Sequence, residues 1–334
     1  MDDTALRRLL DSAIVGEPPI GLIVRNSLRA GIRLRRRRRA RGVAGTAAVV
    51  VIAAAVPAVT GAIGHTSAGP RTGIQRMAQI AYVANGRADT VTPIATATNT
   101  PEKPIKVGMS PGPVVITPNG KTAYVLDSSN TVTPIATATD TPGKPIKVGD
   151  DPDGIAITPD GKTAYVVNQG SSQGTVTPIA TATNIPGKPI KVGNNPMAIA
   201  MTPDGKTVYV ANSGPLNGSP STVTPIATAT NIPGKPIKVG SGPWAIAITP
   251  DGKTAYVINF TSDTVTPIAT ATNIPGKAIK VGKEPWAIAI TPDGKTAYVA
   301  SWESGTVTPI ATATNTAGKP IKVGKGPDAI AITP

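Results

Sequence analysis

The chain is poor in reactive side chains. It has no Cys and a single His, His65. A disulfide framework, a thiolate zinc site and a Cys nucleophile are therefore excluded. Beyond residue 65, neither a His-rich metal centre nor a Ser-His-Asp triad can be built. Rings and carboxylates remain. The three Trp and the one Phe are Trp244, Phe260, Trp286 and Trp302, with Lys283, Glu284, Glu303 and Asp263 close by in sequence. Exposed rings rimmed by polar groups suit stacking on a sugar or anchoring a protein partner. Rings so spaced would equally suit sealing the gaps between structural units. A weaker candidate is "DDPD", with Asp150, Asp151 and Asp153, joined by Asp328. Carboxylate oxygens can hold Ca²⁺, but the roughly six to eight oxygen ligands it takes are not evident in the pattern. No metal and no cofactor is expected.

Positioning these groups requires a regular scaffold. The 334 residues include 35 Gly, 35 Pro and only 3% aromatic residues, which argues for short strands joined by turns. Tyr82, Tyr124, Tyr165, Tyr209, Tyr256 and Tyr298 recur at intervals of 42, 41, 44, 47 and 42 residues, in the range of propeller blades. Each unit has four β-patterned segments, as in "AIAITP", "KTAYVVN", "TVTPIATAT" and "KPIKVG". Pro159–Asp160–Gly161 predicts a tight turn between the first and second strands. "NIPGK" (184–188) predicts one between the third and fourth. Asp160, Asp204, Asp251 and Asp293 belong to the first turn and are read as structural. Pro134, Pro178, Pro225, Pro267 and Pro309 fall inside the third strand, where a bulge or break is expected. Lysines at alternate positions of the fourth strand, such as Lys188, Lys191, Lys235 and Lys238, suit an outer edge protected from aggregation. A grip on anionic wall polymers is the other reading of these lysines.

Unit length varies in one place. From each "TVTP" Thr to the next Tyr the distance is always 34 residues, whereas from Tyr to the following Thr it is 8, 7, 10, 13, 8 and 8. The slack lies between the second and third strands. In an antiparallel blade that loop shares an end with the "VGxxPx" connection to the next unit, which is also variable. All four aromatic rings fall on this end. Loops on a rigid scaffold are where binding usually resides.

Segments such as "TPDGKTAYVVN" (158–168) and "TPDGKTVYVAN" (202–212) resemble the YVTN-family β-propellers, also described as YncE-like or surface-layer-type repeats, over about residues 78–334. The resemblance implies an all-β propeller of four-stranded blades and no particular activity. The family's "VIDTATN"-like third strand here reads "PIATATN", without its Asp. Many relatives have seven blades; six units are present here. The first unit begins with a second strand, "AQIAYVAN" (78–85), and the last residues, 329–333, repeat a first strand. A six-bladed ring closed by pairing of these two segments is expected.

The net charge of +14 is uneven: residues 1–41 contain 11 Arg against 4 acids. The Arg cluster abuts an uncharged stretch ending at Gly64, close to the roughly 20 residues that span a bilayer. The positive-inside rule then gives a cytoplasmic tail at 1–41, a transmembrane helix at 42–64, a linker at 65–77 and an extracellular propeller at 78–334. A cleaved secretory signal is the rival, although the basic region is long for one. The Arg run is read as topology and lipid contact, not nucleic-acid binding. The whole predicts a monomeric, non-enzymatic surface module for a cell-wall glycan or a surface protein, in a bacterium of high-GC composition. Alternatives are a carboxylate- or metal-dependent hydrolase resembling lactonase propellers, and a sensor coupled to the tail.

Overall fold

The computed structural model describes residues 79–170, 173–214 and 221–333. The expected tail, membrane span and linker lie outside these residues.

Among the described residues, six antiparallel sheets follow one another along the chain. A complete one comprises an inner strand (Pro152–Ile157), a second strand (Thr163–Asn168), a third (Thr175–Ala180) and an outer strand in two pieces, Ile185–Pro186 and Ile190–Lys191, both paired to the third. Among the described residues the first sheet has no inner strand. β-Branched and aromatic residues fill the second strand, and nearly all of Thr163–Asn168 is buried. Alternation of buried and exposed faces is absent because neighbouring sheets cover both sides. The apolar core accordingly lies between sheets. Tyr209, Val223 and Ile237 of one sheet cluster with Ile246, Val257 and Ile268 of the next, and Tyr256, Ile258 and Val265 with Ile288, Val299 and Ile310.

Polar contacts bind each sheet to its successor. The Tyr209 hydroxyl donates to Asn273 Oδ1 at 2.7 Å, and Tyr124, Tyr165 and Tyr256 do the same to Asn184, Asn231 and Asn315. Tyr82 donates to Asp140 Oδ1 at 2.6 Å. Burial first, and then nearby Asp204, push the Tyr209 hydroxyl up to about 12, so it stays a donor.

The first turn forms as its residues require. Gly161 has φ +71° and its N–H donates to the Thr158 carbonyl. In the equivalent turn the Thr249 hydroxyl and the Lys253 backbone hold the Asp251 carboxyl below the usual range. The second turn is displaced from its expected place. It occupies "TATN", where Asn184 has φ +56° and donates its N–H to the Ala180 carbonyl, and "IP" already belongs to the outer strand. The third strand does not break at proline either. Pro178 sits in uninterrupted register opposite Tyr165. Its carbonyl accepts from Gly187 N–H on the outer side, so the missing donor faces the outer strand. There the register shifts by one residue between Pro186 and Ile190.

The expected closing ladder is not formed among the described residues: Ile80–Asn85 pairs with Thr90–Ala95 alone, and 329–333 carries no strand. Ile321 of the last sheet is 49% exposed, against 5% and 7% for its counterparts Ile237 and Ile279. Sheets cover those counterparts from the next unit, and no described sheet covers Ile321.

Candidate functional site

The two variable loops meet, as the length analysis predicts. Within one sheet, the residue that follows the second strand donates its N–H to the incoming connection: Gln169 to the Asp151 carbonyl, Phe260 to Gly242 and Trp302 to Glu284, at 2.9–3.0 Å. The connection then enters the inner strand through a bulge. Pro243 pairs with Asn259 and Ala245 with Ile258, leaving Trp244 outside the ladder. The same irregularity leaves out Asp153, Met197 and Trp286. A bulge re-aims a side chain at the cost of one ladder position. Four successive inner strands thus each present, at the loop end, one residue that the strand register skips, and the types are Asp, Met, Trp and Trp.

The aromatic residues converge. Ring centroids of Trp244 and Trp286 are 4.7 Å apart, those of Trp286 and Trp302 are 5.8 Å apart, and Phe260 lies 5.9 and 5.7 Å from Trp244 and Trp286. Interplanar angles of 39–75° give tilted and edge contacts, the geometries favoured by ring quadrupoles. The three Trp are half-buried, whereas Phe260 is only 7% exposed. Phe260 is therefore the floor of the row and the Trp residues its accessible part. Gly326 (φ +64°) crosses Trp302 so closely that a Cβ there would lie 3.1 Å from the indole.

Charged groups flank the row. Lys283 Nζ lies 3.7 Å from Glu303 Oε1, with both side chains mostly exposed, so the pair contributes little stability. Glu284 has φ +52°, and its N–H donates to Asp263 Oδ1 at 2.8 Å. Asp263 thereby fixes the loop. Burial raises the Glu284 pKa, and Glu303 and Asp263 raise it further.

The acidic candidates lie on the same end and have separate engagements. Asn130 Nδ2 donates to Asp150 Oδ1, and the Asp151 N–H donates to Asn130 Oδ1, each at 3.0 Å. Asp153 is buried and accepts from Gln169 Nε2 at 3.1 Å. Asp328 is half-buried beyond the last sheet. Among the described residues no three His, Cys, Asp or Glu side chains gather as a metal set. Sequence reasoning missed Gln169 and Met197: Gln169 Nε2 reaches Met197 Sδ at 3.5 Å as well as Asp153 Oδ2 at 3.1 Å, which links two neighbouring sheets at this end. Their signal is positional: Met197 follows the connection proline, as do Asp153, Trp244 and Trp286.

No family model and no curated protein matches the chain. Solved structures do. Hydrazine synthase of Kuenenia stuttgartiensis aligns with a TM-score of 0.61 at 23% identity, covering 74% of this chain and 84% of that one. A functionally unknown protein of Desulfotomaculum acetoxidans DSM 771 aligns with a TM-score of 0.60 at 21% identity, covering 72% and 78%. At these identities the likeness establishes the fold alone: a propeller-like, all-β repeat architecture of four-stranded antiparallel sheets.

Proposed function

We propose that this molecule is a non-enzymatic binding or scaffold module of the cell surface, holding a cell-wall glycan or a surface protein on the row formed by Trp244, Trp286 and Trp302. The observation that carries the reading is the contact of three half-buried indoles over a buried Phe260, at bulge and loop positions where other sheets place Asp153, Met197 or Gln169. Trp244 and Trp286 stand at positions the strand register skips. A sugar face or an apolar anchor laid on them gains stacking of about 0.5–1.5 kcal/mol per ring beyond area burial. Glu284, Glu303 and Lys283 supply hydrogen-bonding groups at the margin.

Surface placement is part of the proposal. It rests on the Arg cluster followed by the uncharged stretch 42–64, which together favour a single-pass protein with its N-terminus inside. Kinship with YVTN-type repeats rests on the recurring Tyr-Val core. Closure into a six-bladed monomer, although the terminal strands form no ladder, is proposed on repeat positions: Tyr298 and Asn99 stand where Tyr209 and Asn273 bond one sheet to the next.

The test is a binding screen of the full chain against isolated glycans, cell-wall fractions and surface-protein extracts, followed by the Trp244→Ala, Trp286→Ala double variant. Loss of binding by at least tenfold is expected, with an unfolding midpoint that shows the sheets intact. Undiminished binding by the folded variant sinks the reading.

A further inference from the structure

The outer strands carry chemistry that the loop-end site does not use. Every outer strand bears two lysines three residues apart, as in Lys188 and Lys191, Lys235 and Lys238, and Lys277 and Lys280; over six sheets they number twelve, all exposed. Glu102 is the one acid on these strands. Among the described residues, no carboxylate lies within ion-pair reach of any of the twelve. By contrast Lys162, Lys206, Lys253 and Lys295 each lie 3.4–3.6 Å from the Asp of their own turn. The lysine pairs follow one another without interruption. Ile190–Lys191 lies against Ile232–Pro233 of the next sheet, and Ile237–Lys238 against Ile274–Pro275.

Guarding a sheet edge is the ordinary task of such lysines, and here other devices already perform it. Pro186 and Pro189 offer no backbone donor, and the shift between Pro186 and Ile190 leaves no long straight ladder to extend. Two further charges of one sign on every sheet exceed what edge protection needs. Like charges within a Debye length, about 8 Å at physiological salt, reinforce one another, and the adjoining outer strands that carry the pairs are in contact.

We propose that this lysine belt binds a flexible linear polyanion bearing a phosphate in every repeat. Three features select that ligand. The lysine pairs are strung along successive outer strands that touch one another, so a flexible polymer can follow them from sheet to sheet. The outer strands contain no aromatic residue, so nothing there stacks on a nucleobase. The lysines are single-point donors without a fixed fork, suited to tracking phosphates and not to reading one group bidentately.

The experiment uses full-length protein in which Arg35–Arg39 are Gln in every sample, so that the N-terminal cluster does not mask the belt. Long-chain inorganic polyphosphate is the probe, titrated between 50 and 200 mM NaCl. Replacing Lys188, Lys191, Lys235, Lys238, Lys277 and Lys280 by Gln should weaken binding at least tenfold at low salt. It should also flatten the log–log salt slope by about 4, at roughly 0.7 per lost phosphate contact. Arg at the same six positions should retain binding. Gln at the four Asp-paired turn lysines should change it less than threefold, and the Trp244→Ala, Trp286→Ala variant should bind the probe normally. Equal losses in the belt and turn variants would mean that net charge alone attracts the probe, and would overturn the proposal. So would tighter binding of oligo(dT) at equal phosphate number, or binding of phosphatidylglycerol vesicles but not polyphosphate.

Discussion

Replacing Asp127 by Asn should stabilise the protein at neutral pH and do little in acid. The second strands end in an amide in most sheets, and Nδ2 of Asn168, Asn212 and Asn259 donates at 2.9–3.0 Å to a Thr hydroxyl of the third strand. Asp127 takes that place in the second sheet at 1% exposure, with Thr133 donating to Oδ2 at 2.7 Å and Thr131 at 3.2 Å. Its Oδ1 has no hydrogen-bond partner among the described residues. Burial lifts the carboxyl from 3.8 to about 6, with Asp89 adding to the rise; the Thr hydroxyls and the Gly108 backbone offset part of it. A folded-state pKa above the unfolded value means that the folded protein holds the proton more tightly. The group's contribution is therefore fully present below about pH 4, and is lost as pH rises through about 6. At about 1.4 kcal/mol per pH unit of displacement, the ionised carboxylate costs on the order of 3 kcal/mol at pH 8. The assay is denaturant unfolding of wild type and Asp127→Asn, followed by Trp fluorescence at pH 4 and pH 8. The difference between the proteins is the diagnostic quantity, since carboxylates such as Asp251 stabilise in the opposite direction as pH rises. A gain of on the order of 3 kcal/mol at pH 8 that shrinks toward zero at pH 4 is expected. An equal effect at both pH values would refute the argument.

Tyr209→Phe removes one hydroxyl bond between sheets and leaves Asn273 Oδ1 without its donor; unfolding should show a loss of about 1–2 kcal/mol, and a smaller loss after Asn273→Ala in the same background. Ring closure can be tested with Val83→Cys and Ile330→Cys, residues that would face each other as Val166 and Ile155 do. The chain contains no other Cys, and cross-strand neighbours lie within disulfide reach. Oxidation should then give a monomer of altered mobility on non-reducing gels, and a ladder of intermolecular species would count against closure within one chain.

Much of the fold was legible because its signals are local. A Gly with positive φ after Pro-Asp marks the first turn in any context, and counting residues between Thr and Tyr located both variable loops at one end. Features that depend on a neighbour were not legible. Proline in the third strand reads as a break until one knows which side its nitrogen faces. That side is the outer strand, so the irregularity moved to Gly187–Pro189. The second turn was misplaced because Asn184, and not Gly187 of the same segment, adopts the left-handed conformation, and the Tyr124 hydroxyl of the preceding sheet fixes Asn184. The aromatic residues were visible as types, but only contact between sheets divides them into a buried Phe260 and accessible indoles. Closure depends on the curvature summed over all six sheets, which no single repeat encodes. The bulge is the most consequential of these features. It places Asp153, Met197, Trp244 and Trp286 outside every ladder, so a substitution there leaves the strand pairing intact. Near-identical repeats can therefore hold the scaffold constant while one position skipped by the register in each of four sheets changes the chemistry at the loop end, which separates what the site binds from what keeps the molecule folded.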